Sequence, residues 1–142
     1  MGSTLRSAEA VISSAIKNED GEGESIKYSL AAEYGYSDGY AEIRYRESGD
    51  QGAISTVITV SGGTVRVARQ GAVNSDIILS EGLRHESLYS VGPFSFDMSV
   101  TAKKIRSELS ESGGRLDILY KMTVGGAGKD VRLGIRIGVG SK

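Results

Sequence analysis

The chain has 142 residues, a formal net charge of −1, no cysteine and no tryptophan. One domain of this length buries roughly 70% of its unfolded surface and needs no covalent or metal staple. The composition excludes disulfides, thiolate metal sites and a cysteine nucleophile, and the charge lacks the basic excess of a nucleic-acid binder.

The first residues, MGSTLRSAEAV, contain no apolar stretch of the length a secretory signal needs. Arg6 stands where N-myristoylation wants Ser or Thr. No apolar run is long enough for a membrane-spanning helix. These readings predict a soluble, cytoplasmic protein without membrane association, a single domain over 1–142 with 1–7 as a loose extension. Charge is unevenly spread. Residues 1–50 carry five basic and ten acidic side chains, net −5, and residues 101–142 carry nine basic and four acidic, net +5. The simplest account is that the two ends pair as neighbouring strands and offset one another.

In chain order, residues 8–16 (AEAVISSAI) place Ala8, Ala10, Ile12, Ser14 and Ile16 on one face if extended. The acidic segment KNEDGEGES follows. It contains the hairpin dipeptide Asp20-Gly21 and lacks the ligand spacing of a calcium loop. Residues 25–34 alternate cleanly, with Ile26, Tyr28, Leu30, Ala32 and Tyr34 facing one way, the pattern of a half-buried antiparallel strand. After GYSDG the alternation resumes through Ala41, Ile43 and Tyr45 and is read to end at Arg46.

Ile54–Val60 (ISTVITV) is rich in β-branched residues, which suit a pleated surface. A Ser-Gly-Gly loop leads to Thr64–Gln70, and Asn74–Leu79 forms a further short strand. Leu83–Tyr89 and Phe94–Thr101 flank a Gly92-Pro93 corner, and Phe94, Phe96 and Met98 share a face expected to plug the interior. Lys103–Ser110 breaks the alternation and is the one place where a short helical turn fits. Arg115–Val124 and Val131–Val139 complete the pattern, with Arg132 and Arg136 outward.

Nine or ten short strands joined by Gly, Asp and Ser turns predict an all-β fold in antiparallel order. Closure into a barrel of about 8–10 strands, mostly up-and-down hairpins, removes the exposed edges a flat sheet would leave. Small inward residues (Ala8, Ala10, Ser14, Ala32, Ala41) suit a tapered barrel with room inside.

From Ile54 onward the chain resembles the YwiB-like family of bacterial proteins, a domain of unknown function placed with the calycin-type β-barrels. The residues that carry the likeness are Arg69-Gln70-Gly71, then Tyr89, Gly92, Phe94 and Thr101, and finally Gly114-Arg115-Leu116 leading to Tyr120. The turn-and-Tyr pattern over 20–45 fits more loosely. The resemblance implies a closed barrel related in shape to lipocalins. It supplies no activity, and the Gly-x-Trp signature of lipocalins is absent.

Gly35-Tyr36-Ser37-Asp38-Gly39 matches G-x-S-x-G. That motif needs a strand-to-helix turn, whereas here it joins two strands. Ser14 and Lys17 match S-x-x-K, but three residues apart on a strand they point to opposite faces. Gly128-Lys129-Asp130 lacks the upstream Gly and the Ser or Thr of a phosphate loop. His85 is the only His and cannot build a zinc site alone. No catalytic constellation is legible, so the expectation is a non-enzyme without cofactor or metal. The most suggestive group is tyrosine-rich, and the candidate ligand-contacting residues are Tyr28, Tyr34, Tyr45, Arg69, His85, Tyr89, Phe94, Phe96 and Tyr120. The leading reading is a barrel that holds a small apolar or amphipathic ligand. The alternative is a homodimer or a protein-interaction module. Anion or nucleic-acid binding through Lys103, Lys104, Arg132 and Arg136 ranks third, with nucleic acid disfavoured by the overall charge.

Overall fold

The computed structural model describes residues 4–49 and 52–139. It is a ten-stranded barrel: β1 (Arg6–Asn18), β2 (Gly23–Ser37), β3 (Tyr40–Gly49), β4 (Gly52–Ser61), β5 (Thr64–Gly71), β6 (Val73–Leu79), β7 (Arg84–Val91), β8 (Phe94–Ser110), β9 (Gly113–Val124) and β10 (Ala127–Val139). Each strand pairs antiparallel with its neighbour in sequence, and β1 closes the ring on β10. The closing ladder runs from Ala8↔Val139 to Asn18↔Lys129, so the two ends of the chain do pair.

The alternation read from the sequence sets which side chains enter the barrel. Ala10, Ile12, Ala32, Tyr34, Ala41, Ile43, Ile58, Val65, Leu79, Leu116, Ile118 and Ile135 are among those buried. Placing Ala8 against Ala32, and Ala32 against Tyr45, sets small residues beside a large ring, so that neighbouring strands interlock. The hairpin of β2 and β3 turns on Asp38 and Gly39, with φ of 51° and 81°. Two positive φ values in a two-residue loop match the twist of the flanking strands. The G-x-S-x-G segment is therefore hairpin, as its strand context predicts.

Three expectations need correction. Lys103–Ser110 is not helical but continues β8, because a bulge between Ala102 and Lys104 shifts the register. Past the bulge the inward series resumes one step out of phase, as Ile105, Ser107 and Leu109 after Ala102. Phe94 and Phe96 do not plug the interior. They keep the inward parity of Met98 but lie past the rim, 64% and 43% exposed. The extension expected over 1–7 overlaps β1, which starts at Arg6; residues 1–3 lie outside the described residues.

The two ends of the barrel differ. Around the termini and the β2–β3 hairpin, Tyr34, Ile43, Val65, Leu79 and Leu116 fill the interior. Toward the opposite end, where β1 turns into β2, solvent reaches inward residues: Ile16, Tyr28, Leu30, Tyr89, Met122 and Val124 are only half-buried. No helix among the described residues is long and apolar enough to cross a membrane.

Candidate binding site

Arg69 continues the inward series Val65, Val67 on β5. It pairs across the sheet with Thr56 on β4 and Ser75 on β6, and Thr56 in turn pairs with Tyr45 on β3. One cross-strand row thus carries a phenol, a hydroxyl and a guanidinium into the interior. Tyr28 on β2 and Tyr120 on β9 complete the group.

The pKa directions report this proximity. Burial pushes the Tyr45 and Tyr120 phenols up, and the Arg69 charge opposes the rise at both. Burial is also the first cause of the rise at Tyr28, followed by its hydrogen bond to Glu47, with Arg69 again opposing. One cation is therefore felt by phenols on three separate strands. All three phenols stay protonated at neutral pH and can donate, so the site offers hydrogen-bond donors and one positive charge.

Glu47 is the competing anion. Its carboxylate accepts the Tyr28 hydroxyl, a contact between β2 and β3 beyond their last ladder pair, Ala32↔Tyr45. Among the described residues Arg69 makes no ion pair. Thr56 is 1% exposed, and its Oγ1 is buried without a hydrogen-bond partner. It sits near enough to the Tyr45 hydroxyl to favour the phenolate, but short of hydrogen-bond geometry.

Of the residues singled out from sequence, Tyr28, Tyr45, Arg69 and Tyr120 come together. Tyr89 pairs with Phe96 on the rim above them. Tyr34 is elsewhere: its hydroxyl donates to the Ser110 carbonyl at 2.7 Å, toward the filled end. His85 lies between β6 and β7, where Nδ1 accepts the Ile78 backbone N–H at 3.4 Å. Glu47 and Thr56 were missed. Both sit at inward positions in step with Tyr45 and Ile58, but the sequence alternation ends at Arg46 and Thr56 reads as one more β-branched residue of ISTVITV.

Residues 11–133 match the family described as Domain of unknown function (DUF1934). The chain belongs to this family. It is similar to the uncharacterised β-barrel protein YwiB of Bacillus subtilis (strain 168), 31% identical over 107 residues that cover 75% of each chain. The crystal structure of the ywiB protein from Bacillus subtilis matches the fold with a TM-score of 0.87 at 27% identity, covering 96% of this chain and 94% of the other. Within this DUF1934 barrel, the Arg69 group brings polar side chains from several strands together in the interior.

Proposed function

We propose that this protein is a non-catalytic binding barrel for a small amphipathic ligand with an acidic head group. The head is taken by Arg69 with the hydroxyls of Tyr45 and Tyr120. The apolar part lies against Tyr89, Phe94, Phe96 and Met122 at the solvent-reached end. What carries the reading is the Arg69 guanidinium, felt by three phenols and ion-paired to no carboxylate among the described residues. A buried or half-buried cation without a counter-ion is costly, and an acidic ligand removes that cost. The filled interior around Tyr34, Ile43, Val65 and Leu79 favours the opposite half for the ligand.

Calorimetric titration with laurate and with dodecanol tests it. Laurate is expected to bind one to one, dodecanol more weakly. Arg69→Met should cut laurate affinity by about 10- to 100-fold, the worth of a charge-assisted hydrogen-bonded contact. Absence of laurate binding, or equal binding by Arg69→Met, would overturn the reading.

A further inference from the structure

The outer face of β1, β2, β9 and β10 carries a second feature that the interior site does not use. A barrel exterior is ordinarily convex. Here Ser13, Ala15 and Ser25 present small side chains and Gly134 none, and together they floor a concave region of about 690 Å³. Gly134 pairs with Ser13 on one side and Asp117 on the other, and Ala15 pairs with Ser25, so the floor is continuous across four strands. Arg115, Arg132, Arg136 and Lys27 stand around it.

Of the four cations there, only Arg115 is in an ion pair among the described residues. Asp117 is the one acidic residue lining the groove, and it is already in an ion pair with Arg115 at 3.4 Å. Arg132, Arg136 and Lys27 are in no ion pair among the described residues. The ends of the chain therefore pair through their backbones while much of their opposite charge stays unmatched.

The matching charge lies in the hairpin next to the groove. β1 and β2 leave the floor at the Ala15↔Ser25 pair and turn over residues 18–23. Asp20, Glu22 and Glu24 are exposed there, and none is in an ion pair among the described residues. The hairpin cannot fold back on its own groove, because Lys17↔Gly23 and Ile16↔Glu24 hold it in line with the strands.

We propose that the groove receives the acidic β1–β2 hairpin of a second copy of this chain. Groove and hairpin are contiguous along the same two strands. A two-fold axis near Ala15 and Ser25 sets each hairpin over the partner copy's groove, giving a closed isologous dimer. Half-buried Val11 adds apolar contact. No aromatic side chain lines the groove, so it lacks the stacking platform that single-stranded nucleic acid uses.

A charge-swap experiment on the full-length protein tests this, with mass read by light scattering on a sizing column. The wild type is expected to dimerise at low salt and to dissociate as salt screens the contact. Arg132→Glu with Arg136→Glu should weaken the dimer by more than about tenfold, as should Glu22→Lys with Glu24→Lys. Mixing the two variants should restore a dimer, since each hairpin then meets a groove of opposite sign. All four positions face solvent, and circular dichroism confirms that the barrel is retained; Arg132→Gln with Arg136→Gln is the milder second variant. A wild type that stays monomeric at about 100 μM and low salt overturns the proposal. So does a mixture that stays monomeric. Salt-sensitive binding of homopolymeric RNA that depends on Arg132 and Arg136, in a protein that does not dimerise, would reassign the face.

Discussion

The Tyr28 hydroxyl donates to the Glu47 carboxylate across β2 and β3. This holds the one acidic side chain of the interior group to a phenol, and the Arg69 cation remains free of an ion pair among the described residues. The pair thus decides whether the site reads as positive or as internally neutralised.

Tyr28→Phe should release Glu47 to compete for Arg69. The expected outcome is weaker laurate binding, by about tenfold, with stability lowered by about 1 kcal/mol for the lost hydrogen bond. Glu47→Gln should do the opposite to binding, because it removes the competing charge while keeping an acceptor for Tyr28. Calorimetry on the two variants separates the effects. Equal laurate affinity in both would show that Glu47 does not set the charge of the site.

Alkaline pH provides a second handle. Burial pushes the Tyr34 phenol up to about 12, and burial raises Tyr28, Tyr45 and Tyr120 as well. These groups are neutral in both folded and unfolded chains below about pH 10. Above that value the unfolded chain ionises first, so the folded state holds more protons and stability falls as pH rises toward the folded pKa values. Urea midpoints should therefore drop between about pH 10 and about pH 12, and Tyr34→Phe should lessen the drop. A flat profile, with tyrosinate absorbance appearing before unfolding, would show the phenols to be accessible.

The barrel was legible in the sequence because alternation states which face each residue occupies. Ala10, Ile12, Tyr34, Ile43 and Leu116 all follow it into the core. Alternation does not state height along the barrel axis. Phe94 and Phe96 therefore have the right parity and still lie past the rim. Nor does it survive a bulge, which is why the pattern breaks over Lys103–Ser110 and a helical turn fits there in sequence. The site was half legible. Tyr28, Tyr45, Tyr120 and Arg69 each read as candidates, but their convergence depends on which rows of different strands face each other once the ring closes. Glu47 lay one position beyond the strand end inferred from sequence.

The β6–β7 seam gives a third prediction. These two strands pair only at Val73↔Val91 and Asn74↔Ser90, whereas β4 and β5 pair over eight positions. Farther along, His85 Nδ1 accepts the Ile78 N–H in place of a backbone carbonyl. His85→Ala should leave that N–H without its partner. Faster hydrogen exchange at Ile78 and its neighbours is expected, with a stability loss of about 0.5–1 kcal/mol, the low end for a long hydrogen bond. Unchanged exchange at Ile78 would show that the imidazole does not close the seam.

Gly114 should be among the least replaceable residues of the barrel. Its φ is +136°, and an added Cβ would lie 1.9 Å from the Glu108 carbonyl oxygen on the neighbouring strand. Backbone cannot yield there without breaking the β8–β9 ladder at Leu109↔Gly114. Gly62 is a useful contrast: its φ of +57° also favours glycine, but an added Cβ would meet nothing within 4 Å. Gly62→Ala should cost about 1 kcal/mol, the strain of a left-handed residue alone. Gly114→Ala adds steric overlap to strain and should cost about 3 kcal/mol or more. Urea denaturation of the two variants compares them directly, and a Gly114→Ala cost no larger than that of Gly62→Ala would mean that the β8–β9 edge relaxes far more freely than its register implies.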